Sequence, residues 1–333
     1  MTNLYPLRFA PLYRHYLWGG RRFETLLGRV LDPDPEKVYA ESWEVVDRGD
    51  DQSVVAAGPL AGATLGRLVA ECREALLGPG RPAAATGPAV ARRFPLIMKF
   101  LDAAKNLSLQ VHPDDEMAAR LDPPDLGKTE AWFVLAAEPG SRIYAGLKPG
   151  VDRDALRAAS LDGNTDQCVA WFEPTPGDCL FIPAGMVHGL GRGIVVAEIQ
   201  QASDTTFRLF DWNRLGPDGR PRELHVERAL EAIDFAAGAP GPIRVESGEP
   251  NRLVPIVTCE YFVMSRCDLA GEASMAGDGH CHLLAVLEGS VEVEGDAAET
   301  PLTRGQTILL PAALPAVAIR SPGGATVLDV QVR

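Results

Sequence analysis

Short apolar runs broken by glycine or proline dominate this chain of 333 residues, which holds 33 Gly and 27 Pro. Such punctuation leaves little room for long helices and asks for many turns between strands. Runs that read as strands are Trp43–Val46, Ser53–Ala57, Leu96–Phe100, Ala131–Ala136, Asp178–Ile182, Ile194–Ile199, Phe262–Ser265, Leu283–Leu287, Ser290–Val293 and Thr307–Leu310. Helical spacing of apolar residues is confined to Leu65–Leu77, Asp115–Leu121, Asp152–Ala159 and Leu224–Phe235. The fold class this implies is mainly β, a β-sandwich or jelly-roll β-barrel architecture with a few added helices.

A faint internal repeat supports two barrels. Gly177 to His188 reads glycine, an apolar strand, Pro183 and a turn, and Gly305 to Ala316 repeats the pattern around Pro311. The first copy ends on an imidazole and the second on a methyl group. Low-complexity loops lie at Gly78–Gly87, expected as a surface insertion, and at Ala236–Pro242. The second places a boundary between a unit of residues 1–240, with N-terminal and helical additions, and a degenerate barrel of residues 241–333.

The net charge of -13 opposes generic binding to nucleic acid, which needs a positive field. An anionic substrate must then be met by a local cluster of cations. Met1 to Phe9 carries no apolar run of signal-peptide length, and no stretch approaches the roughly 20 apolar residues of a membrane helix. A cytoplasmic protein without a membrane partner is the expectation. The six cysteines include no Cys-x-x-Cys pair, so disulfides are not expected.

Chemistry concentrates in three segments. In Leu107–Glu116, Gln110 and His112 are separated by one residue, so on a strand both face the same side while Leu109 and Val111 face the other. In Gly127–Leu135, Lys128 and Glu130 share a face at the start of an apolar strand. Pro183 to His188 is a turn that delivers an imidazole. A lone histidine is usually a structural, hydrogen-bonded residue, and a lone glutamate a solvated strand end. Together, two imidazoles, a carboxylate and an amide make a nitrogen–oxygen donor set suited to Zn²⁺, and also to Mn²⁺, Fe²⁺ or Co²⁺. Further on, Glu198 and Gln200 alternate with Ala197 and Ile199, either as an ordinary polar strand face or pointing into a wet barrel. Arg208 reads either as an ion-pair partner of Asp204 or Asp211, or as an anion clamp.

These segments resemble the type I phosphomannose isomerases, the zinc-dependent cupins that interconvert mannose 6-phosphate and fructose 6-phosphate, in their short bacterial branch. The stretches that carry the resemblance are Leu17–Gly20, Glu41–Val45, Phe94–Asp102, Leu107–Glu116, Gly127–Glu130, Ile182–His188 and Glu198–Arg214; beyond Pro250 it rests on the barrel pattern. The resemblance implies one zinc, or another divalent metal, held by Gln110, His112, Glu130 and His188. It also implies Arg208, Lys128 and Glu198 as catalytic residues, Ser108 and Lys99 at the substrate's phosphate end, and a monomer or homodimer acting on a small sugar phosphate. Gly127 departs from the pattern, because many relatives carry a histidine there, and the base role shifts to Lys128, Glu198 or water at the metal. His280 and His282 resemble a second ligand pair, with Glu288 nearby, but Ala316 stands where the last ligand would be. The competing readings are a cupin isomerase or epimerase acting on another sugar, and a sugar-binding cupin in which the metal is only a staple.

Overall fold

The computed structural model describes residues 3–79, 90–216, 219–244 and 248–333. Most of the expected loop at 78–87 lies outside the described residues; the one at 236–242 is irregular, as expected.

Among the described residues, three large antiparallel sheets carry the fold, beside a small pair of strands at Asp47–Arg48 and Asp51–Gln52. The first has seven strands, in the order Leu12–Arg14, Glu41–Val45, Leu96–Ala103, Ile194–Gln201, Glu130–Ala137, Asp178–Ile182 and Ile243–Arg244. The second has five: Phe207–Phe210, Leu109–Val111, His188–Leu190, Ile143–Leu147 and Val169–Phe172. These two sheets close the first barrel over an apolar core that includes Leu101, Trp132, Val134, Ile143, Leu180 and Val196. The third sheet, with six strands, forms the second barrel around Leu284, Val286, Ile308, Ile319 and Val327.

Strand parity explains how the barrels meet. On the central strands of the seven-stranded sheet, Leu96, Met98, Phe100, Ala131, Phe133, Val195, Ala197 and Ile199 all point away from the first barrel. They join Phe262, Met264, Leu283, Leu309, Leu328 and Val330 of the second barrel in one continuous buried cluster. The sheet is therefore covered on both faces at its centre, where Leu96–Ala103 and Ile194–Gln201 are buried along their whole length. The N-terminal segment also crosses over, since Leu7 and Leu309 exchange backbone hydrogen bonds of 2.8 and 2.9 Å. On the five-stranded sheet, Leu109 and Val111 face outward, as their parity requires, into a cluster capped by the helices Arg153–Leu161 and Val226–Ala232.

Some expectations are corrected. Ser53–Ala57 forms isolated bridges rather than a strand, because its backbone groups bond to Val46, Ala63 and Arg8 in turn. The helix expected over Leu224–Phe235 is only Val226–Ala232. At its start the chain is diverted to Arg208, whose carbonyl accepts from His225 N at 2.7 Å and whose guanidinium donates to the Glu223 carbonyl.

Candidate metal centre and active-site cavity

The inward-facing residues of the first barrel are apolar at one end and charged at the other. At the charged end, register brings the distant segments together. Gln110 lies opposite His188 on one side and Arg208 on the other. Across the barrel, Glu198 lies opposite both Lys99 and Trp132, and Gln200 opposite Glu130.

His112, Glu130 and His188 converge, with one donor atom from each within 4.8 Å of the others. Glu130 Oε1 is 3.3 Å from His188 Nε2, and Oε2 is 3.6 Å from His112 Nε2. Each imidazole is aimed by its other nitrogen: His112 Nδ1 lies 2.8 Å from the Thr205 carbonyl and His188 Nδ1 2.9 Å from that of Met186. Those contacts put the proton on Nδ1 and leave both Nε2 lone pairs facing the carboxylate, the arrangement typical of metal-bound histidines. Burial holds both imidazoles neutral, pushing His188 down to about 4 and His112 well below its ordinary value. Gln110 stands beside this group with its Nε2 3.4 Å from His188 Nε2, while its Oε1, the atom a metal would take, accepts from Ser108 at 3.0 Å.

Glu130 is the electrostatic anomaly. It is fully buried, and neither oxygen accepts a hydrogen bond of good geometry, although Lys128 Nζ lies 2.7 Å from Oε2 and 3.1 Å from His112 Nε2. Burial raises its pKa, against the attraction of Lys128. A buried carboxylate is costly unless its charge is offset; Lys128 offsets it at Oε2, while Oε1 faces His188 Nε2 with no hydrogen-bond donor. Two neutral imidazoles, this carboxylate and a neighbouring amide form a mixed donor set that fits a divalent metal.

The cluster opens through Gln110 and Lys128 onto a cavity of about 510 Å³. Its wall holds Ser108, Trp132, Glu198 and Arg208, and its mouth carries Tyr16 and Leu17. Lys99 sits between carboxylates, 2.9 Å from Glu198 Oε1 and 3.5 Å from Glu41 Oε2. Burial alone would lower its pKa, but these two anions outweigh it and hold Lys99 firmly protonated. In return Lys99 and Lys128 overcome the burial penalty on Glu198 and keep it ionised, and its Oε2 accepts from Trp132 Nε1 at 2.7 Å.

Arg208 adopts neither ion pair weighed for it. Its Nε lies 3.3 Å from the Ser108 hydroxyl, and Asp211 pairs instead with Arg214 and Arg222. Two guanidinium groups thus share the Asp211 carboxylate, and Arg208 stands beside them at this wall. Burial, then repulsion by Arg222, lowers the Arg208 pKa.

The family model for the catalytic domain of type I phosphomannose isomerase matches residues 7–129, and that for the cupin domain of mannose-6-phosphate isomerase matches residues 254–328. Mannose-6-phosphate isomerase ManA of Bacillus subtilis is 32% identical over 307 residues, covering 92% of this chain and 93% of the relative. The chain belongs to the type I phosphomannose isomerases. A mannose-6-phosphate isomerase of Streptococcus mutans is 30% identical over 306 residues, covering 92% of both chains. The crystal structure of the Bacillus subtilis mannose 6-phosphate isomerase superposes with a TM-score of 0.86 at 30% identity, covering 99% of this chain and 100% of that one. A putative mannosephosphate isomerase of Archaeoglobus fulgidus shares the fold at a TM-score of 0.75 and 22% identity.

Glu41, Arg214 and Arg222 also line the cavity without having been given roles from sequence, as does Asp204, read there only as a possible partner of Arg208. Glu41 and Arg214 lie in stretches that carry the resemblance, so their proximity to its other motifs was the available signal. Arg222 had none. The Gly127 departure has a steric basis: a Cβ built there would lie 2.5 Å from Asp115 N and 2.6 Å from Asp114 C. The start of the helix Asp115–Ala119 occupies the space that any side chain at 127 needs.

Proposed function

We propose that this chain interconverts D-mannose 6-phosphate and D-fructose 6-phosphate through an enediol, with one zinc ion held by Gln110, His112, Glu130 and His188. The observation that carries this reading is the buried Glu130 carboxylate, paired with Lys128 at one oxygen and facing two imidazole Nε2 atoms, behind a cavity that Gln110 and Lys128 line. The cavity volume suits a hexose phosphate, since small-molecule sites run to about 300–1,000 Å³. Bound metal would supply a positive centre that orients and polarises the sugar oxygens.

The chain's own residues supply the rest. The guanidinium groups of Arg214 and Arg222 give the phosphate end its positive surroundings, and Ser108 offers it a hydroxyl. Lys99, neutralised by Glu198 and Glu41, serves chiefly to hold Glu198 ionised. Glu198 takes the proton from C2 while Lys128 gives one to O1, which yields the enediol. Lys128 then recovers a proton from O2 as Glu198 returns its proton to C1. Arg208 offsets the negative charge that develops on the oxygens between these steps.

The test is conversion of mannose 6-phosphate to fructose 6-phosphate by purified protein, before and after chelation and with Zn²⁺ restored. Activity lost with chelator and regained with zinc supports the reading. A folded protein inactive in every metal state, or equally active on free mannose, overturns it.

A further inference from the structure

The second barrel contributes nothing to the cavity wall, whose described lining ends at Arg222. One side chain of that barrel nevertheless reaches the metal-ligand segments. Tyr261 sits in the turn between Val254–Thr258 and Phe262–Met275. Its backbone is pinned by the chain terminus, with Arg333 N donating to the Tyr261 carbonyl at 3.0 Å. Its hydroxyl crosses to the first barrel and donates to Asp115 Oδ2 at 2.7 Å.

Asp115 is a hub. Its other oxygen accepts from Gly127 N at 2.8 Å and from Gln201 Nε2 at 3.0 Å. Gln201 in turn exchanges bonds with Thr129: Thr129 N donates to Gln201 Oε1 at 2.9 Å, and Gln201 N donates to the Thr129 carbonyl at 3.1 Å. The strap 127–129 is thereby held on both sides of Lys128, one residue before Glu130. Because Gly127 has no side chain, the start of the helix Asp115–Ala119 lies against it and brings Asp115 within reach of its N–H.

We infer that Tyr261 and Asp115 are positioning residues for Lys128 and Glu130, and that through them the second barrel sets the geometry of a metal site it does not line. The inference rests on the proposed function for its kinetic consequence and on geometry alone for the rest. Polar partners behind a metal ligand typically change metal affinity by about 10- to 100-fold when removed.

Tyr261→Phe keeps the ring and its packing while deleting the donor. In the full chain it should speed backbone hydrogen exchange in the peptide spanning 126–131. It should also weaken Zn²⁺ binding about tenfold in competition with a chromogenic chelator, and lower kcat for mannose 6-phosphate with KM unchanged. Asp115→Asn, which keeps an oxygen for Gly127 and Gln201, should fall between the wild type and Asp115→Ala. Unchanged exchange in Tyr261→Phe overturns the tether. Faster exchange with metal affinity and kcat both unaltered overturns the positioning role. A wild type that turns over no sugar phosphate sinks the functional reading instead, and exchange and metal affinity still decide this one.

Discussion

Residues at the candidate metal centre were partly legible because strand parity is a local property. Gln110 and His112 share a face only where the segment is extended; the strand ends at Val111, one residue before His112, and the outward turn of Leu109 and Val111 follows from the same count. The state of Arg208 was not legible, because it depends on which cation claims Asp211. Arg214 and Arg222 do so, and Arg208 is left beside the Ser108 hydroxyl, facing the cavity. Arg208→Ala should therefore lower turnover by about 100- to 1000-fold, the usual loss of one preorganised charge, while the zinc content of the purified protein stays at the wild-type level. Turnover within a few-fold of wild type would remove Arg208 from the mechanism. The glycine beside Lys128 makes a second prediction. Gly127→Ala pushes a methyl group into the backbone of Asp114 and Asp115, and overpacking of this kind costs about 1–3 kcal/mol. Urea denaturation should show that loss, and a variant as stable as wild type would mean that the start of the helix moves aside freely.

At the scale of elements, Asp178–Ile182 and Thr307–Leu310 have the expected ends, while the short strands Val169–Phe172 and Phe207–Phe210 were not read. The longest strand, Val317–Val332, was missed, because it contains Ser321-Pro322-Gly323-Gly324, which reads as a turn. The ladder carries that interruption instead of ending at it. Arg320 and Ser321 pair before it and Ala325 resumes after it, with Pro322 to Gly324 left in a bulge where no ladder donor is needed. The same strand explains His282, which resembled half of a metal-ligand pair. Its Nδ1 lies 2.8 Å from Asp329 Oδ1 and its Nε2 lies 3.1 Å from Asp278 Oδ1, so both nitrogens face carboxylates. Burial works against the imidazolium, but the two anions outweigh it and raise the His282 pKa. Burial also raises Asp329, yet the flanking of one ring by two carboxylates is decisive for the histidine. A raised folded-state pKa contributes stability that is fully present below the unfolded value of about 6.5 and is lost as pH climbs through the folded value. His282→Gln should accordingly cost more stability at pH 6 than at pH 9 in paired denaturation curves. An equal cost at both would mean that the clip is not charged.

The molecule as a whole was the least legible level, because no local pattern says that two barrels share a core. The loop at 236–242 suggested separate units, yet Ile243–Arg244, beyond the expected boundary, still pairs with Asp178–Ile182. The N-terminal segment meanwhile bridges to Leu309. The outward face of the seven-stranded sheet reads from sequence as ordinary apolar alternation. Only the assembled structure shows Phe100, Phe133 and Ile199 in one buried cluster with Leu283, Leu309 and Val330. Stripped of the second barrel, that face would present a broad apolar surface to water, which a soluble unit of this size does not tolerate. Unfolding should therefore be cooperative across both barrels, even though the proposed metal ligands all belong to the first. Leu283→Ala provides the test, because Leu283 is fully buried in the shared cluster and lies in the barrel without the site. Its truncation should cost about 2–5 kcal/mol. If the barrels unfold together, urea midpoints followed by far-ultraviolet circular dichroism and by zinc release will move down by the same amount. If zinc release keeps its wild-type midpoint while part of the β-signal is lost early, the barrels are separable, and the second is cargo on a self-sufficient first.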